Sequence, residues 1–133
     1  MRLALDTSVL LTIFNREPQA ERWIEALIEA RRHGQLVLCE VVYAELAPAF
    51  RARAELDRVL ADLGASLDPI TPDSAWLAGQ TFRRYRAEGG PREHLIPDFL
   101  IAAHAQLQAD HLAALDRGYL RRYFPNLTLL RQA

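Results

Sequence analysis

The sequence predicts a layered α/β fold with a mostly parallel sheet. Two observations predict it. Short apolar stretches of strand length alternate with longer segments of helical periodicity along almost the whole chain, and no internal repeat, low-complexity tract or linker interrupts the alternation. A chain of 133 residues, half apolar and a quarter charged, has the size and composition of one globular domain with one core.

Leu3-Ala4-Leu5 reads as a short buried strand. Asp6-Thr7-Ser8 follows and can cap a helix over Val9 to Phe14. A second helix begins near Pro18; Ala20, Trp23, Ile24, Leu27 and Ile28 fall at helical spacing, Glu21, Glu25 and Glu29 form its wet edge, and Gly34 stops it. Leu36 to Cys39 is the next strand, and Val41 to Ala47 the next helix, with a kink or a fresh helix start at Pro48. Leu56, Val59, Leu60 and Leu63 mark a helix closed by Gly64, and Leu67 to Ile70 a short strand. Thr71-Pro72-Asp73 opens a long helix to about Arg86, with proline in its first turn. Gly89-Gly90-Pro91 is a loop, and Pro97 opens a helix over Asp98 to Gln108. A strand from Leu112 to Leu115 leads into Asp116, and a short helix around Tyr119 to Tyr123 and a strand from Leu127 to Leu130 close the chain.

In parallel sheets, sites form beyond the carboxyl ends of the strands. Asp6 and Asp116 each follow directly after a short apolar strand, which places them on one edge.

Composition removes several classes of function. All sixteen basic residues are arginine, so the lysine that a Walker phosphate loop or a phospho-receiver domain requires is absent. Cys39 is the lone cysteine and sits in an apolar run; no internal disulfide or cysteine-rich zinc site can form, and it reads as a small core residue. No apolar run approaches the roughly 18 residues needed to span a membrane. The early acid Asp6 does not fit the apolar stretch of a signal peptide, so the chain reads as cytoplasmic. A net charge of −1 does not by itself favour nucleic acid; only local arginine clusters could do so.

Most acids have an ordinary place. Glu21, Glu25, Glu29, Glu55, Asp57 and Asp62 lie on polar helix faces, and Asp73 sits in a helix first turn. Asp6, Glu45, Asp98 and Asp116 differ because their surroundings are apolar. Asp98 heads the stripe of Ile101, Ala102 and Ala105 that faces the core. Glu45 shares a helix face with Val41, Val42 and Ala49, and a carboxylate on a buried face is costly unless paired or metal-bound. Singly, each acid also has a structural explanation: an N-cap for Asp6, a helix-start charge for Asp98, a surface glutamate for Glu45, a turn residue for Asp116. Together they point toward one edge of the sheet. Four carboxylates in one pocket raise one another's pKa and call for a cation, and an all-oxygen donor set selects magnesium or manganese. Such an ion activates water and stabilises charge on a phosphoryl oxygen, which suits phosphodiester hydrolysis.

Four stretches, Leu5-Asp6-Thr7-Ser8, Tyr43-Ala44-Glu45-Leu46, Pro97-Asp98-Phe99-Leu100 and Leu115-Asp116-Arg117-Gly118, together resemble the PIN-domain family, and within it the VapC-type ribonuclease toxins of prokaryotic toxin–antitoxin pairs. Leu5-Asp6-Thr7-Ser8-Val9-Leu10 resembles the opening motif, and Val42-Tyr43-Ala44-Glu45-Leu46 the motif around the second acid. Pro97-Asp98-Phe99-Leu100-Ile101-Ala102-Ala103-His104-Ala105 resembles the third. Leu115-Asp116-Arg117-Gly118-Tyr119, followed by Arg121 to Leu127, resembles the fourth acid and the tail after it. The likeness runs from Leu3 to Leu130. It implies a three-layer sandwich with a central parallel sheet between helices, cleavage of RNA with magnesium or manganese to leave a 5′-phosphate, homodimers, and inhibition by a cognate VapB-like antitoxin. It also implies Asp6, Glu45, Asp98 and Asp116 as metal ligands and catalytic acids, with Thr7 and Ser8 behind them. One departure stands out. The family often carries a threonine or serine two residues before the fourth acid, where this chain has Ala114. Ser8, two residues past Asp6, remains available to supply a hydroxyl.

Arg83, Arg84 and Arg86, with Arg92 nearby, form one basic cluster, and Arg117, Arg121 and Arg122 another; either could grip RNA phosphates or be a solvated helix face. Tyr43, Tyr119 and Tyr123 are candidates for stacking on unpaired bases, with packing the commoner use. His104 and His111 read as structural, and Glu40 as an exposed helix-start acid. The apolar helices of residues 20 to 28 and 56 to 63 could include a dimer face. Two alternatives stay open: another metal-dependent phosphohydrolase, disfavoured because Ser8 stands where a haloacid-dehalogenase phosphatase needs its second acid, and a PIN-fold RNA- or protein-binding module without catalysis.

Overall fold

A computed structural model describes residues 1–115 and 118–130. Strand β1, Arg2–Leu5, lies inside a four-stranded sheet ordered β3-β2-β1-β4. Its neighbours are β2, Gln35–Leu38, and β4, His111–Ala113, with β3, Ala65–Leu67, outside β2. Every pairing among these strands is parallel. Leu3 faces Leu36 on one side and His111 on the other.

The helices follow in chain order: α1 Thr7–Phe14, α2 Ala20–Arg32, α3 Glu40–Leu46, α4 Arg53–Leu63, α5 Pro72–Ala87, α6 Ile96–Gln108 and α7 Gly118–Tyr123. The chain steps outward from β1 through β2 to β3, then returns through α5 and α6 to β4 on the other flank of β1. Parallel crossovers are right-handed, so reversing direction puts the helices of the two series on opposite faces of the sheet. The result is the predicted α/β sandwich. Leu3, Leu5, Leu36, Leu38 and Leu112 fill the middle layer, and all are buried. Ala102, Ala103 and Ala105 bring α6 close to β1 and β4.

Several boundaries move for identifiable reasons. Asn15 to Gln19 form turns, so α2 begins at Ala20 rather than at Pro18. Helix α2 ends at Arg32, before Gly34; a Cβ at Gly34 would stand 1.8 Å from the Met1 carbonyl oxygen, so glycine there permits the close passage of β1. Pro48 starts a separate 3₁₀ turn, Ala47–Ala49. Gly64 adopts φ +82° and caps α4, as its type predicts. The third strand lies at Ala65–Leu67, earlier than Leu67 to Ile70; Asp68 makes a last ladder bond to the Leu38 carbonyl at 2.8 Å, and Pro69 has no N–H to continue it. The expected strand from Leu127 to Leu130 reduces, among the described residues, to one parallel bridge between Leu112 and Leu129, because its three-residue partner β4 offers no longer ladder.

No helix among the described residues is long and apolar enough to cross a membrane. Cys39 is buried, and burial pushes its thiol pKa up, as suits an inert core residue.

Candidate metal centre

The chain turns from β1 into α1 at Asp6. The Asp6 N–H donates to the Ala113 carbonyl at 3.0 Å, joining the exits of β1 and β4. This is where the strand order reverses, the place where open α/β sheets build their sites. Asp6 caps α1, its Oδ2 accepting from the Ser8 N–H at 3.2 Å and from the Ser8 hydroxyl. The same hydroxyl accepts from the Leu115 N–H at 3.2 Å. Ser8 therefore ties Asp6 to the strand exit that carries the buried Ala114.

Burial pushes the Asp6 pKa up, the two Ser8 hydrogen bonds pull it partly back, and the neighbouring carboxylates Asp98 and Glu45 push it up further. The charges of two of the other acids singled out in the sequence thus reach Asp6, although Glu45 and Asp98 lie 39 and 92 residues further along the chain.

Asp98 is the third residue of α6. Its Oδ2 accepts from the Leu95 N–H at 3.2 Å, and the His94 Nδ1 stands 3.5 Å from the same oxygen. Asp98 is half-buried, at the head of a helix whose Phe99, Ile101, Ala102 and Ala105 are buried.

Glu45 departs from expectation. It is exposed, not on a buried face: α3 turns Val42 and Leu46 inward, while Val41 is only partly covered and Ala49 is open. What positions Glu45 is the Thr7 hydroxyl, which donates to its Oε1 at 2.6 Å. Asp116 and Arg117 lie outside the described residues.

The donor set suits a hard cation: oxygen ligands alone, one of them a desolvated carboxylate crowded by like charges. Among the described residues, no group of three or more His, Cys, Asp and Glu side chains is gathered closely enough to hold one ion as it stands.

One arginine from each sequence cluster, Arg84 and Arg122, meets at Tyr123. Arg84 donates to the Tyr123 carbonyl at 3.3 Å, and Arg84 and Arg122 place their guanidinium carbons 5.4 and 5.3 Å from the Tyr123 ring centroid. Arg86 donates to the Gly90 carbonyl at 2.8 Å, and Arg122 lies 3.7 Å from Glu88. Arg83 and Arg121 are exposed. Tyr123 packs inside, its hydroxyl donating to Glu88 at 2.8 Å, and the Tyr43 hydroxyl donates to Asp57 at 2.6 Å. Tyr119 stacks on His94 at 3.9 Å between centroids. His104 is buried and pairs with Asp68 at 2.9 Å, remote in role from the acids; Glu40 accepts from the Ile70 N–H at 2.9 Å. The sequence reading overlooked His94; its position four residues before Asp98, just outside the helix start, was the available signal.

The comparisons with known proteins agree with this architecture. Residues 3–125 match the PIN domain model, and the chain belongs to the PIN-domain family. Members of that family are generally nucleases, and those nucleases generally use divalent metal ions. Among solved structures, VapBC2 from Rickettsia felis, bound to a DNA fragment from their promoter, gives a TM-score of 0.78 at 20% identity over 98% of each chain. VapBC-1 from nontypeable Haemophilus influenzae gives 0.74 at 19% identity, over 99% of this chain and 98% of the other. A toxin–antitoxin complex from Klebsiella pneumoniae gives 0.68 at 17% identity over 98% of each. At such identities the likeness establishes the fold. No curated protein sequence matches the chain.

Proposed function

We propose that this chain is a magnesium- or manganese-dependent endoribonuclease, acting as one PIN-like domain and as the toxin of a toxin–antitoxin pair. The observation that carries the reading is the Asp6 carboxylate, desolvated at the switch point of the sheet and crowded by Asp98 and Glu45. Such a carboxylate gains most from a bound cation. The resemblance of the motifs, and solved relatives described as toxin–antitoxin and VapBC complexes, support the toxin assignment and an antitoxin partner. A cytoplasmic homodimer held inactive by that antitoxin completes the reading.

Asp6, Glu45 and Asp98, with Asp116, would hold the ion. When bound, it lowers the pKa of water and offsets charge on a phosphoryl oxygen. The chain does the rest. Ser8 fixes the rotamer of Asp6, Thr7 holds Glu45, and the Leu95 N–H steadies Asp98. One of these carboxylates accepts the proton of the attacking water. The exposed Arg83 and Arg121, with Arg84, Arg86, Arg122 and Arg117, supply the candidate phosphate contacts.

The test is to purify the chain free of partners and offer it cellular RNAs with magnesium, manganese or chelator. Metal-dependent cutting lost in Asp6→Asn and Asp98→Asn supports the reading; full cutting by both variants overturns it. One observation favours a second reading, a PIN-fold RNA-binding module: no three of the described acids close around one ion. RNA bound stoichiometrically and left intact across several divalent metals would establish that instead.

A further inference from the structure

A cavity of about 410 Å³ opens between the end of α5, the loop before α6, and α7. His94 lines it and also stands 3.5 Å from Asp98, so the cavity begins one side chain away from the candidate metal centre. One wall is aromatic: His94 and Tyr119 stack at 3.9 Å with 24° between their planes, and Tyr85 meets His94 edge-on at 6.1 Å. Among the described residues the same cavity is also lined by the carboxylates Glu88 and Glu93 and the guanidinium of Arg122.

We infer that this cavity binds one unpaired guanine of the RNA strand, next to the bond that is cut; the inference rests on the ribonuclease reading above. Three features select the ligand. Aromatic side chains in the lining suit a nucleobase, which every single-stranded RNA presents. Among the described residues two carboxylates and one guanidinium line the cavity, a balance that disfavours a phosphate and favours the uncharged base. Carboxylates accept and never donate at neutral pH, so the base edge they read must carry N–H donors. Guanine offers two side by side, N1–H and the N2 amino group, matching the two oxygens of one carboxylate. Glu88 is the reader. Its Oε1 already accepts from the Tyr123 hydroxyl at 2.8 Å, which locks its direction, and a carboxylate has further lone pairs to spend on a ligand. The arginine patch around Tyr123 then lies alongside, where the phosphates on either side of the base would run.

The experiment uses the full chain, free of partner proteins, and unstructured oligoribonucleotides that differ only in one internal guanosine, replaced by inosine or adenosine. Binding is read by fluorescence anisotropy in chelator, and cleavage in manganese. Inosine keeps N1–H and lacks the amino group. The guanosine strand is expected to bind roughly tenfold more tightly than the inosine strand, the usual scale of a paired base contact. Glu88→Gln, which still accepts the Tyr123 hydroxyl but offers the base an amide in place of the second carboxylate oxygen, should erase the difference between the two strands. Equal binding of the two strands by the native chain, or a preference that survives in Glu88→Gln, overturns the inference. Guanosine monophosphate bound as tightly as the oligonucleotide overturns the assignment to an RNA strand. Cutting without base preference sinks this inference and leaves the ribonuclease reading standing; a chain that neither binds nor cuts RNA sinks both.

Discussion

The Thr7 hydroxyl donates to Glu45 Oε1 at 2.6 Å, joining the first turn of α1 to α3 across thirty-eight residues of sequence. This bond, and not burial, holds the exposed carboxylate whose charge reaches Asp6. Its consequence is a separation of activity from stability. Thr7→Val keeps the shape and removes the donor. Cleavage should fall by about 10–100-fold, the usual cost of losing a group that orients a metal ligand, while the thermal midpoint stays nearly unchanged because the bond is exposed. Wild-type cleavage by Thr7→Val would show that Glu45 needs no positioning.

Asp6 carries a pH prediction. Burial and the charges of Asp98 and Glu45 raise its pKa in the folded state. Its contribution to stability is therefore complete below the unfolded-state pKa and is lost as pH rises through the higher folded value. The metal-free chain should lose this contribution as pH rises from the ordinary carboxylate range through the raised folded value. Asp6→Asn, uncharged throughout, should raise the thermal midpoint of the metal-free chain at neutral pH, and added manganese, expected to raise the midpoint of the native chain, should leave that of the variant unchanged. A lower midpoint for metal-free Asp6→Asn would contradict the electrostatic account.

Asp68 has the opposite sign. Burial alone would raise its pKa, but hydrogen bonds and charge from His104 and Arg2 outweigh burial and hold it below the ordinary carboxylate range. Its contribution is present above the unfolded-state pKa and is lost as pH falls through the depressed folded value. Asp68→Asn should flatten the acid limb of a stability-against-pH curve measured by urea unfolding. Removing the buried partner, His104→Ala, should cost about 1–3 kcal/mol at neutral pH, since it leaves Asp68 with one donor fewer and opens a gap in the core.

Gly34→Ala tests the passage of the first strand. The new methyl would meet the Met1 carbonyl, and the Gln35 N–H donates to that same oxygen at 2.8 Å. Relief requires shifting β1 against β2. A loss of about 2–3 kcal/mol in unfolding free energy is expected, the scale of overpacking; an unchanged urea midpoint would mean that the N-terminus yields freely.

Much of this arrangement was legible in the sequence. The helix over Asp98 to Gln108 was, because its alanine and isoleucine stripe has one period and Pro97 marks its start. The strand pairs were less so: the stretch Leu127 to Leu130 is apolar enough for a strand, but a strand needs a partner of matching length, and β4 ends at Ala113. Glu45 was found for a mistaken reason. A short helix of seven residues has too few turns for its apolar positions to define which edge faces the core.

By itself the sequence determined the alternation of strand and helix, the parallel sheet, and the apolar setting of Asp6 and Asp98, because periodicity and capping are local properties of neighbouring residues. Only the tertiary structure decided what stands beside those acids, Thr7 against Glu45, Ser8 against Leu115, His94 and its stacked Tyr119 beside Asp98, and it brought the sequence-distant Arg84 and Arg122 to the one ring of Tyr123. Those contacts are set by how crossovers return to the sheet and by side-chain packing between elements far apart in sequence, and no local pattern encodes either.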